Sequence, residues 1–180
     1  MLGLDGSTTL TLFGNVMTVL AALGIFIFKA KRSVLIINAL LCFLMSLVLF
    51  LLELYQGMTV TAAAFIGSTL RLAVGRDLSR RETLLSLFVL VPIAASPLFF
   101  QFRSLLDLVP IIAFGLFRYS EFRLRDKAFR VGMITASGIF CGYCVLGNAW
   151  GVALAEAMFA SGHLFQLIKL FGKEKTMQLS

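Results

Sequence analysis

Two ionisable side chains stand where a helix would have to carry them into a bilayer. Residues 149–172, AWGVALAEAMFASGHLFQLIKLFG, form an apolar run long enough to span a membrane, and Glu156 and His163 lie inside it. A carboxylate at that depth costs about 3 kcal/mol on insertion scales, so it normally turns toward a protein interior or a watery cavity. The i, i+7 spacing sets both residues on one helix face, about 10 Å apart along the axis, where they share a stripe without bonding each other. A carboxylate placed this way binds a cationic or hydroxylated solute, carries a proton, or pins two helices as a neutral group. An imidazole beside it is either a packing residue or a group that titrates near neutral pH.

Other polar residues fall at matching depths. Asn15 lies as deep in the first apolar run as Glu156 does in the last, and a bond between the two would be the pin. Asn38, Ser68 and Thr69 lie at the depth of His163. Arg71, near the end of its run, either snorkels to the interface or neutralises a solute anion or the carboxylate. Glu156, His163, Asn15, Asn38, Ser68, Thr69 and Arg71 are therefore the candidate substrate-binding or proton-coupling set. One His and one distant carboxylate do not make a coordination sphere, so neither a metal nor another cofactor is expected. No Ser–His–Asp order, HExxH, phosphate-cradling glycine loop or pair of carboxylates at catalytic spacing occurs, which argues against an enzyme. Cys141-Gly-Tyr-Cys144 has the C-x-x-C spacing without the strand-to-helix context of a redox motif, and the three cysteines read as small core residues.

The elements that position these groups follow from composition. Of 180 residues, 59% are hydrophobic and 14% charged, where a soluble domain has about a quarter charged. With a mean hydropathy of +0.96, this is a polytopic helical membrane protein of one domain. The net charge of +7 would suggest nucleic acid in a soluble chain, but eighteen Phe against one Trp suit lipid and helix packing instead. No basic residue precedes the first run, so it reads as a retained helix and not as a signal peptide.

Seven spans fit: 9–28, 33–55, 58–75, 84–102, 105–122, 128–146 and 149–172. Gln56-Gly57 and Gly147-Asn148 make tight turns, Pro92 and Pro97 kink the fourth span, and Arg118 in the fifth reads as snorkelling. Alternate loops and their adjoining helix ends hold 15 of the 16 basic residues, with only Arg103 opposite, while Asp5, Glu53 and Asp107 lie at the poor end. That is the positive-inside pattern, N-terminus outside and C-terminus cytoplasmic. An offset of 94 residues aligns Lys29 with Arg123, Lys31 with Arg125 and Gly57 with Gly151, so that triplet 9–75 repeats as triplet 105–171 around connector 84–102. Parallel 3+1+3 repeats are a transporter plan. The repeat puts Ala62 and Thr69 where the second triplet has Glu156 and His163, so the ionisable stripe is one-sided. Gly138-x-x-x-Gly142 and Gly147-x-x-x-Gly151 read as packing within the triplet or against a second copy of the chain.

The segments KRSVLIINALLCFLMSLVLFLLELYQG, TVTAAAFIGSTLRLAVGR, Pro110-Ile111-Ile112 and GNAWGVALAEAMFASG resemble the YgjV-type bacterial inner membrane protein family. That resemblance implies an inner-membrane location and a carboxylate at Glu156. It also implies an Asn where His163 stands. More distantly the layout is similar to the SWEET, PnuC and PQ-loop group, which implies movement of a small solute, although no Pro–Gln pair occurs here. The expected function is transport of a small polar solute through the interface of the two triplets, with lipid as the surroundings and no nucleic-acid partner. The alternatives are a ligand-binding or receptor module and a structural membrane component.

Overall fold

The computed structural model describes residues 6–27, 31–75, 78–102, 104–124 and 126–178. Asp5, Lys29, Arg76, Arg103 and Arg125, on which part of the charge asymmetry rests, lie outside the described residues. The described chain is all helical. Its helices are α1 (Gly6–Ile27), α2 (Lys31–Leu51), α3 (Tyr55–Val74), α4 (Arg80–Ala95), the short α5 (Leu98–Gln101), α6 (Val109–Arg123), α7 (Asp126–Leu146) and α8 (Trp150–Gln178), with a 3₁₀ turn at Leu105–Leu108 before α6.

Among the described residues, five segments are long and apolar enough to cross a membrane: Arg32–Leu51, Tyr55–Val74, Arg81–Phe100, Lys127–Leu146 and Trp150–Gly172. A shorter apolar stretch, Thr11–Gly24, lies in α1. Local chemistry moves some ends from their expected places. The turn expected at Gln56-Gly57 lies instead at residues 52–54, where Glu53 takes the left-handed conformation, and Gln56 and Gly57 belong to the first turn of α3. Helix α4 starts at Arg80, not near Leu84, because Ser79 and Glu82 form a reciprocal capping box: Ser79 N–H donates to Glu82 Oε2 (2.8 Å) and Glu82 N–H to Ser79 Oγ (3.3 Å). As expected from the prolines, the fourth span breaks, α4 ending at Ala95 and α5 starting after Pro97. The fifth span differs most. Its α-helix has 15 residues, rising about 22 Å, and Ser104 and Asp107 cap the 3₁₀ turn that precedes it.

Neighbour relations close the helices into a ring. Helix α1 packs on α2, α2 on α3, α3 on α6, α6 on α7, α7 on α8, and α8 back on α1, while α4 leans on α3 and α6. Much of the core between them is apolar: Met45, Val48, Phe114, Met133 and Phe159 are all buried. Large side chains such as Phe88, Phe99, Phe100 and Ile168 point outward, as lipid-facing residues do.

Lipid tails are as apolar as leucine, so association depends on close approach and polar contacts. Gly151 is one such approach: a Cβ there would overlap the Asn15 side chain of α1. Gly147 likewise meets Leu54. The other small-residue pair is different. A Cβ on Gly138 or Gly142 would meet nothing within 4 Å, so these glycines face outward and do not pack within the triplet as one of the sequence readings had it.

Candidate functional site

The polar centre of the ring is built on α6. Arg118 is 1% and Glu121 0% exposed, and the two form an ion pair one turn apart. Arg118 Nη1 also donates to Ser68 Oγ on α3 (3.0 Å), and Asn38 Nδ2 on α2 donates to the same oxygen (3.1 Å). Both Ser68 lone pairs are thus used, and three helices are tied at one atom. The Asn38 carbonyl receives the Cys42 thiol at 3.8 Å. Phe114 and Phe122 flank the guanidinium, each ring centroid 5.9 Å from Cζ. Gly67 makes room for it: a Cβ there would lie 3.0 Å from Arg118 Nη1 and 3.1 Å from Leu90 Cδ1.

Arg118 is therefore an interior group and does not snorkel. A helix of 15 residues whose inner face meets α3 and α7 can bury an arginine that supplies hydrogen bonds to its neighbours. The sequence carried a signal for this, since Arg118 and Glu121 are an opposite-charge pair at i, i+3.

Beside this network lies a cavity of about 20 Å³, enough for one water. Asn38 and Cys42 of α2, Thr61 of α3, Arg118 of α6, Phe140 of α7 and Glu156 of α8 are among its lining residues. Glu156 is 4% exposed, and its Oε2 has no hydrogen-bond partner. The Ser137 hydroxyl of α7 lies against this carboxylate. The inward turn of Glu156 expected from the sequence is found.

The remaining candidates separate. Ser68 and Asn38 join the network. Arg71 is buried one turn beyond Ser68, on the same face of α3. Thr69, expected on the wall, is on the exposed face of α3, because the inward position is taken by its neighbour Ser68 and successive residues turn by about 100°. Asn15 packs on Gly151, five residues before Glu156, and its Oδ1 has no partner, so the Asn15–Glu156 bond that was the alternative, a pin between helices, is not formed. His163 is fully buried away from the cavity, edge-on to Phe129 and Phe159 at 5.5 and 4.6 Å. Arg130 Nη1 lies 3.3 Å from its Nδ1. A guanidinium only donates, so Nδ1 is the acceptor and the ring proton sits on Nε2.

A second space opens at the acidic end of the bundle. It measures about 190 Å³ and is lined by Glu53, Gln56, Asp107 and Tyr143, with Leu54, Tyr55 and Pro97. Tyr143 stacks on Phe140, with ring centroids 5.8 Å apart and planes at 22°. One ring of this pair faces the vestibule and the other the interior cavity. Sequence reading missed the vestibule because Glu53 and Asp107, apart in the chain, each look like an ordinary loop charge.

Among the described residues no group of three or more His, Cys, Asp or Glu could hold a metal ion. A family model described as a bacterial inner membrane protein matches residues 10–174, nearly the whole chain. No curated protein and no solved structure matches.

Proposed function

Because this chain belongs to the Imp-YgjV family of bacterial inner membrane proteins, we propose that it moves a small polar solute across that membrane, between the triplets α1–α3 and α6–α8. The observation that carries this reading is the interior cavity: polar groups of both triplets line one space, and among them is Glu156, whose buried Oε2 has no hydrogen-bond partner. A purely structural bundle gains nothing from an unpaired carboxylate oxygen at membrane depth.

The proposed topology is seven crossings, N-terminus outside, in a SWEET-like 3+1+3 parallel repeat. Two observations support it. Exchanging the triplets turns the α1–α8 contact into the α6–α3 contact, both of which exist. The 3₁₀ turn adds about 8 Å to the rise of α6, giving about 30 Å in all, the thickness of a hydrocarbon core. A solute would enter at the acidic vestibule, pass the Phe140–Tyr143 stack and meet Glu156, with Arg118 held in place by Glu121 and Ser68. The one-water cavity would then be the closed state of a cycle in which the triplets part. No covalent step is involved.

The same small volume favours one second reading, a ligand-binding or structural protein that does not translocate. Uptake of a mixture of polar metabolites into proteoliposomes, read by mass spectrometry alongside internal pH, separates the two. Transport predicts accumulation of at least one solute by the parent protein and its loss in Glu156→Gln. Unchanged uptake and unchanged proton movement in Glu156→Gln would remove Glu156 from the mechanism, and no uptake by the parent would leave the second reading.

A further inference from the structure

We propose that the solute of the interior cavity is a zwitterionic α-amino acid with an apolar side chain, its carboxylate meeting Arg118 and its ammonium meeting Glu156. This rests on the transport reading, since the space in its closed form admits one water and takes such a guest only when the triplets part.

The lining selects by what it leaves uncommitted. Most of it is apolar, with Phe114, Phe117 and Phe140 as its largest hydrocarbon groups. Besides Cys42, its polar residues are Asn38, Thr61, Arg118 and Glu156. The first two are engaged within the protein. Asn38 donates to Ser68 Oγ (3.1 Å) and accepts the Cys42 thiol (3.8 Å), and the Thr61 hydroxyl turns its proton to its own helix, with Gly57 O and Met58 O each at 3.0 Å. Arg118 and Glu156 remain. Nη1 of Arg118 serves Ser68 and Glu121 and Nε is buried, which leaves the N–H groups of Nη2 uncommitted. Glu156 has Oε2 closed off in the protein, so Oε1 is the oxygen left for a guest. The guanidinium pairs with Glu121 and not with Glu156.

A cationic donor and an anionic acceptor on the wall of an apolar space specify a guest that carries both charges and a hydrocarbon body. The guanidinium matches a carboxylate, and the carboxylate matches an ammonium. Charge balance points the same way. Among the described residues the buried charged side chains are Arg71, Arg118, Glu121 and Glu156, two of each sign. His163 accepts from Arg130 at Nδ1 and so adds none. A guest with a net charge would leave that charge uncompensated at membrane depth, and a zwitterion does not. A polyol fits less well, because its hydroxyls would lie against phenyl rings without partners.

L-Leucine can be taken apart along these lines without touching the protein. Removing its carboxylate gives 3-methylbutylamine, which keeps the ammonium and the hydrocarbon. Removing its ammonium gives 4-methylpentanoate. Each fragment leaves either Arg118 or Glu156 without its counterpart in a space where water is scarce.

The experiment is calorimetric titration of L-leucine and of the two fragments into the purified full-length protein in phosphatidylcholine nanodiscs. The parent should bind leucine at least about tenfold more tightly than either fragment. Glu156→Gln should lose at least about tenfold in leucine affinity while binding 4-methylpentanoate as the parent does. A fragment that binds as tightly as leucine overturns the proposal, as does unchanged leucine affinity in Glu156→Gln. L-Valine and L-phenylalanine are titrated alongside, and binding of none of the three amino acids overturns it as well. Translocation is read apart, by uptake of radiolabelled amino acid into proteoliposomes. Binding without uptake keeps this site and removes the transport reading, whereas uptake of other solutes with no amino-acid binding keeps transport and removes the zwitterion.

Discussion

Replacing Arg118 by methionine should be among the most damaging single changes in this chain. The substitution keeps an unbranched apolar stem but removes the guanidinium. Ser68 Oγ then loses a donor at 3.0 Å, and Glu121, 0% exposed, loses the Arg118 guanidinium. A charge-assisted bond contributes about 1.5–3 kcal/mol, and removing one partner of a buried ion pair typically costs about 3–5 kcal/mol. The adjoining cavity holds one water at most, so solvent cannot replace the lost group. Arg118→Met should therefore destabilise by about 3–5 kcal/mol, roughly a hundredfold or more in the unfolding equilibrium. Removing both charges is a different perturbation. With Arg118→Met and Glu121→Met together the anion of the pair leaves with its cation, and the double variant should recover at least about 2 kcal/mol of the loss. The assay is reversible unfolding by SDS in mixed micelles, followed by circular dichroism, for parent, single and double variants. A single variant within about 1 kcal/mol of the parent, or a double variant less stable than the single, would show that the pair is not buried as described.

Two further predictions concern the frame around the site. Gly151→Ala should cost about 1–3 kcal/mol by forcing α1 and α8 apart at Asn15, whereas Gly142→Ala, which meets nothing, should be neutral or gain up to about 1 kcal/mol of helix propensity; the same unfolding assay reads both, and equal effects would refute the difference in packing. Ser79→Ala should cost about 1 kcal/mol through loss of the capping box, read as faster amide exchange in the first turn of α4, with unchanged exchange counting against the cap.

Much of the frame was legible because its causes are local. Apolar runs mark helices whatever they pack against. Gly147-Asn148 marked a turn, and Asn148 does adopt the left-handed conformation that asparagine tolerates. Ser79-x-x-Glu82 carried a capping box that the apolar pattern hid, since the run itself begins later. Glu156 was placed inward by its cost in lipid, a penalty that holds for any neighbour. Thr69 and His163 were harder. Depth put them beside Asn38 and Ser68, but depth does not give azimuth, and one residue's rotation sends Thr69 outward while His163 meets Phe129, Phe159 and Arg130.

The sequence by itself therefore determined a helical membrane bundle, an acidic end, the Gly147-Asn148 turn and an inward carboxylate in the last helix. Each follows from the free energy of one residue or one short pattern against water or lipid. The tertiary structure alone decided that Arg118 and Glu121 are interior, that Ser68 joins three helices, and that Glu53, Gln56 and Asp107 line one space. An arginine near a helix end can reach the interface or turn inward, and its own sequence neighbourhood allows both. The choice is made by what α3 and α6 present to each other: Gly67 leaves room for the guanidinium and Ser68 accepts its proton, 50 residues away in the chain.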